Sequence, residues 1–149
     1  MAPERLNIVL VQASFKTPLV YDDLLTRLRD LGYSVVLPPL PSCSDVDHND
    51  FPTRTLAHNA LAITKVIRQL VEVGKTVVLV MHPYGGIVGS EGIPESLSYR
   101  ARQARGQKGG VIHLFHYTAF LLDKGRSVLE TFSESPNNDA RVLASPFNT

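Results

Sequence analysis

The run His82-Pro83-Tyr84-Gly85-Gly86 joins an imidazole, a proline and two adjacent glycines directly behind the apolar stretch 76–81. An imidazole titrates near neutrality and exchanges protons without a covalent intermediate, so His82 is a candidate acid–base group. His113 and His116 stand at opposite ends of a second strand-like segment and can bring further imidazoles to the same sheet edge. His116, near the carboxyl end of that segment, is the better candidate of the two, with a packed structural histidine as the alternative. Backbone N–H groups at a helix start attract negative charge, so those of Tyr84, Gly85 and Gly86 are candidate contacts for a small anion or carbonyl oxygen.

Other polar groups carry weaker chemistry. Asp45-Val46-Asp47-His48-Asn49-Asp50 offers carboxylates and an imidazole, but its order is not that of a calcium-binding loop, and a solvated turn explains it; no metal is assigned. Cys43 has no cationic sequence neighbour to lower its pKa. Arg100, Arg102, Arg105 and Lys108 form a basic cluster that suits a carboxylate, a phosphate or an acidic surface, or is simply solvated. The cluster is short and lacks interleaved aromatics, which argues against nucleic-acid binding. Gly85-Gly86-Ile87-Val88-Gly89 lacks the glycine order of a dinucleotide site, no Lys-Ser/Thr pair follows it, and no cofactor is expected.

The 149 residues are 44% hydrophobic with a formal charge of +1, enough for one core. One domain is expected over residues 1–132, followed by a polar, turn-rich and flexible tail over 133–149. A single cysteine and the absence of an apolar leader point to a reducing, cytoplasmic setting. No apolar run approaches the roughly 20 residues that span a bilayer. A small-molecule ligand is the expected partner, with neither nucleic acid nor membrane.

The elements that must position these groups alternate. Residues 6–11 are apolar and β-branched, as in a strand covered on both faces. Thr17 then caps a predicted helix with Pro18 in its first turn, a stripe of Tyr21, Leu24, Leu25, Leu28 and Leu31, and Gly32 as its stop. Residues 33–37 form strand two, ended by Pro38 and Pro39, and a polar loop runs to Arg54. Leu56, Ala60, Ile63, Ile67 and Leu70 mark the next helix, Gly74 ends it, and residues 76–81 form strand three. A short helix from Tyr84 precedes strand four at 109–115, and residues 118–132 read as helical, interrupted at Gly125. Such an alternation predicts an α/β fold with a mainly parallel sheet in the order two-one-three-four.

That order, together with Met81-His82-Pro83-Tyr84-Gly85-Gly86, resembles the α/β-hydrolase family, in particular the small hydrolase-like proteins of fungal natural-product pathways. The resemblance covers residues 6–132 and implies a truncated three-layer fold with about four strands. In the family this turn reads Gly/His-x-Ser-x-Gly-Gly with serine at a strained tip, and Pro83 stands at that position here. Proline is locked near φ −65°, so the turn is expected to relax into an ordinary helix start. By position, the segment Gln12-Ala13-Ser14-Phe15-Lys16 aligns with the loop that supplies an oxyanion donor, leaving Ser14 or Phe15 as the backbone donor and Gln12 as a polar contact or a strand-end cap. His113 and His116 precede the place of the family's general base, so a Ser-His-Asp mechanism is not expected.

Two classes of function follow. One is residual acid–base chemistry or substrate binding on a small carbonyl compound. The other is a noncatalytic binding module, dimerising through strand four with Leu114, Phe115, Phe120, Leu121 and Leu122 exposed, or a nonfunctional truncated product.

Overall fold

The computed structural model describes residues 6–14, 18–44 and 46–133. Phe15, Thr17 and the tail from Glu134 onward lie outside the described residues. Four strands, β1 (Asn7–Val11), β2 (Ser34–Val36), β3 (Thr76–Met81) and β4 (Gly110–His116), form an all-parallel sheet in the order β2-β1-β3-β4. This is the predicted order.

Apolar runs explain why β1 and β3 occupy the centre: every residue of β1 is buried, and Val77, Leu79 and Met81 of β3 are buried completely. The larger core lies on one face, where α3 (Leu56–Glu72) and α4 (Gly85–Glu91) pack Ile63, Ile67, Val71 and Val88 against Val9, Val11, Leu79 and Met81. The smaller core lies on the other face, where α1 (Asp22–Asp30) packs Leu25 over Ile8, Leu10 and Val35. Three layers result.

The thinner face departs from the predicted helix. Residues Pro18–Tyr21 make a 3-10 turn and α1 begins only at Asp22, with no side-chain cap on its first turn. Leu24 and Leu31 of the expected stripe are 43% and 71% exposed: Leu24 borders an apolar cavity shared with Phe115 and Tyr117, and Leu31 is the cap residue beyond the last turn of α1.

The polar loop before Arg54 contains a short helix, α2 (Pro41–Ser44), and a 3-10 turn at Phe51–Thr53. A further 3-10 turn (Glu95–Leu97) and helix α5 (Tyr99–Gln103) lead into β4. In β4 the register jumps from Val77↔Val111 to Val78↔His113, making Ile112 a bulged residue.

Residues 118–132 are interrupted at Gly125 as expected, but the part before it is not helical. Thr118 has φ 44° and Gly125 φ 84°, backbone states that a helix cannot contain, and α6 begins only at Val128. Ser127 starts it with a reciprocal cap: its Oγ accepts from the Glu130 N–H at 3.2 Å, while Glu130 Oε2 accepts from the Ser127 N–H at 2.8 Å. The Ser127 backbone and hydroxyl donors, aided by Arg126, hold the Glu130 carboxyl below its usual range.

Candidate functional site

His82 follows β3 directly, and its N–H donates to the Val11 carbonyl at 3.0 Å, extending the ladder one residue past the strand. Tyr84 has φ −61° and ψ −29°, ordinary helical values, and Thr118 alone among the described non-glycine residues has positive φ. The turn is a relaxed helix start, with Pro83 where a missing N–H costs nothing.

Both glycines are dictated by close backbone approach. A Cβ on Gly85 would lie 2.2 Å from the Val11 carbonyl oxygen, and one on Gly86 2.2 Å from that of Phe120. Their N–H groups donate to the His82 and Pro83 carbonyls at 2.6 and 3.1 Å. Two of the three N–H groups read as anion contacts are therefore spent inside the turn. The Phe120 N–H also donates to the Pro83 carbonyl at 3.1 Å, so the chain after β4 closes over this point.

The open chemistry lies on the face of α1. The His82 imidazole lies against Tyr21, edge to face at a centroid distance of 5.8 Å, and stacks on Tyr117 at 5.2 Å. Tyr21 Oη accepts the Ala13 N–H at 2.8 Å and lies 2.9 Å from His82 Nδ1. Tyr21 is buried, and its hydroxyl proton needs an acceptor. His82 Nδ1 stands within reach to supply it in the tautomer that leaves this nitrogen unprotonated. Around this pair lies an apolar cavity of about 310 Å³, lined by Leu10, Leu24, Val80, Phe115 and Tyr117 among others.

His116 is not part of this group. It pairs in register with Met81, whose side chain enters the larger core, so its imidazole projects to the opposite face from His82, where Nε2 is buried without a partner among the described residues. His113 is in register with Val78 and is exposed. Ser14 is half-buried just beyond β1, and Gln12 is fully buried with Oε1 unpartnered among the described residues. Among the described residues no group of His, Cys, Asp and Glu has the arrangement of a metal site.

Tyr84 belongs to a network that sequence reasoning missed. Fully buried Asn59 donates from Nδ2 to Ser42 Oγ at 2.7 Å and to Tyr84 Oη at 3.1 Å, and its Oδ1 accepts the Ser42 N–H at 3.0 Å. This one amide ties α2, α3 and the turn together. Asn59→Ala strands the Ser42 N–H and is expected to cost about 2 kcal/mol in urea unfolding, against under about 1 kcal/mol for Tyr84→Phe. Equal costs for the two variants would show that the amide is not the hub.

Tyr21 was legible only as part of an apolar stripe. Its signal was the polar tip on a residue otherwise spaced for burial, since a buried tyrosine hydroxyl needs a partner. Tyr117 left no signal.

A parallel sheet in this order, with a glycine-paired turn between its third strand and the following helix, defines an α/β-hydrolase architecture. The sequence matches the alpha/beta hydrolase family over residues 8–144, and the chain belongs to that family. Similar proteins include "Probable hydrolase R7" of a Phoma species, 29% identical over 133 residues, which are 89% of this chain and 46% of that protein. "Alpha/beta hydrolase nvfD" of Aspergillus novofumigatus is 31% identical over 121 residues, 81% of this chain and 46% of that protein. The chain thus spans about half the length of the curated relatives it matches.

Proposed function

We propose that this protein is a divergent α/β-hydrolase-family member acting on a small molecule in natural-product metabolism, without a serine nucleophile. His82 is its acid–base or substrate-orienting group. The observation that carries this reading is the Ala13 N–H to Tyr21 Oη to His82 Nδ1 chain, 2.8 and 2.9 Å, beside an apolar cavity of about 310 Å³. Tyr21 holds the His82 ring in a set orientation beside the cavity, where an imidazole exchanges a proton directly with a ligand. The apolar walls suit the hydrocarbon part of the ligand, and the volume suits a small one.

The test compares the parent, Pro83→Ser and His82→Gln against activated esters and a panel of small carbonyl metabolites. Pro83→Ser is expected to remain inert toward esters, because the turn is relaxed and the resemblance supplies no triad base. His82→Gln is expected to lower conversion or ligand retention by about 10²-fold or more. Ester turnover by Pro83→Ser, or full activity of His82→Gln, overturns the reading.

A noncatalytic module is favoured by a separate observation. Ile112, Leu114 and Phe115 of β4 are 44%, 41% and 49% exposed on an edge strand. A homodimer through β4 is the form this reading takes. Light scattering that gives a dimer in the parent and a monomer in Phe115→Lys supports it, and a parent that stays monomeric at every concentration removes it.

A further inference from the structure

At the amino end of β3, away from His82, a basin of about 660 Å³ opens between the last turn of α3, the 3-10 turn Glu95–Leu97 and the loop after α5. Its walls carry Arg68, Arg102, Arg105 and Lys108 against the carboxylate of Glu72. The whole chain has a formal charge of only +1, so this basin concentrates positive charge that the rest of the surface balances.

Two of the guanidinium groups are fixed in place without carboxylate partners. Arg102 is only 7% exposed; its Nη2 donates to the Val71 carbonyl at 2.8 Å and the Lys108 carbonyl at 3.0 Å, and its Nε to the latter at 3.2 Å. Arg105 donates from Nη2 to the Ser96 carbonyl at 2.6 Å and from Nε to Gln107 Oε1 at 3.1 Å. Each has Nε and Nη2 occupied and Nη1 without an acceptor among the described residues. A guanidinium held in this way offers its remaining donors with little ordering cost.

The wall itself is preformed. Gly106 and Gly109 both have φ 69°, and the Gly106 and Gln107 N–H groups donate to the Gln103 and Arg102 carbonyls at 2.9 and 3.0 Å. The carbonyl end of α3 opposes an anion here, but the Val71 carbonyl is already taken by Arg102. Arg68 and Lys108 form no ion pair among the described residues, which leaves both charges available.

We propose that this basin binds the phosphate group of a small hydroxyl-bearing molecule. Phosphate matches several converging cationic donors better than a single-charged carboxylate does, and Glu72 is placed to accept from a ligand hydroxyl. The volume is that of a small-molecule site, not of an extended polyanion track.

The experiment titrates the full isotopically labelled chain with inorganic phosphate, then pyrophosphate, with chloride holding the ionic strength constant. Saturable shifts are expected at the amides of Gly74, Ser96 and Gln107, with dissociation constants around the millimolar scale and pyrophosphate tighter. Arg68→Gln with Lys108→Gln is expected to weaken binding about tenfold with an unchanged unfolding midpoint, since neither side chain holds the fold. Shifts that chloride reproduces, that do not saturate or that survive in the double variant overturn the proposal. So does binding confined to long polyanions such as heparin.

Discussion

Gly85→Ala is expected to lower the stability of the domain by about 3 kcal/mol or more, a fall of roughly 10 °C in melting temperature. The added methyl would stand 2.2 Å from the oxygen and 2.9 Å from the carbon of the Val11 carbonyl. Those atoms belong to the central strand, fixed between β2 and β3, and the Val11 oxygen also accepts the His82 N–H. Nothing there can yield cheaply. Gly86→Ala meets the equally close Phe120 carbonyl, which belongs to a connection outside the sheet and not to a central strand, so about 1–2 kcal/mol is expected. Gly106→Ala has open space around its Cβ and pays only for its φ of 69°, about 1 kcal/mol. Thermal unfolding of the three variants should rank them in that order. A Gly85→Ala protein as stable as Gly106→Ala would mean that α4 does not sit on β1 as described.

The second large effect is Arg102→Met, expected to cost about 3 kcal/mol despite keeping a stem of similar bulk. The buried guanidinium satisfies the Val71 and Lys108 carbonyls and thereby joins the end of α3 to the loop entering β4. Without it, two carbonyls lose charged donors, and the helix end loses the cation that complements its dipole. Denaturant unfolding reads the loss, and amide exchange should accelerate around residues 70–75 before it does in β1. Arg102→Lys is expected to recover part of the loss, because one ammonium reaches one carbonyl well but cannot fork to both. A cost below about 1 kcal/mol for Arg102→Met would show that solvent replaces the guanidinium without penalty.

The sheet was readable because its determinants are local. Apolar β-branched runs at 6–11 and 76–81 mark strands covered on both faces, and right-handed crossovers then leave few arrangements. The failures have a different origin. The break at Gly125 was legible from the glycine itself, but residues 118–127 stay outside the helix because the chain there turns at Thr118 and hydrogen-bonds through the Phe120 N–H to the Pro83 carbonyl, which no local pattern records. Arg102 reads in sequence as one of a solvated basic cluster because its acceptors are backbone carbonyls, which have no sequence signature.

At the site, His82 was legible by its place after an apolar strand. Its hydrogen-bond partner was not, because Tyr21 reaches it only when α1 docks on the sheet. Pairing His82 with His116 by their closeness to strand ends ignored the alternation that sends them to opposite faces.

The strand order has a consequence for synthesis. β1 leaves the ribosome before the two strands that flank it and finishes in the interior of the sheet, with β2 on one side and β3 on the other. Its pairing with β2 can form early, but the edge destined for β3 waits until residues 76–81 emerge. At ~5–20 residues per second that wait is on the order of several seconds, with a buried-type apolar edge open throughout. Slower translation would lengthen that exposure, and a faster arrival of residues 76–81 would shorten it.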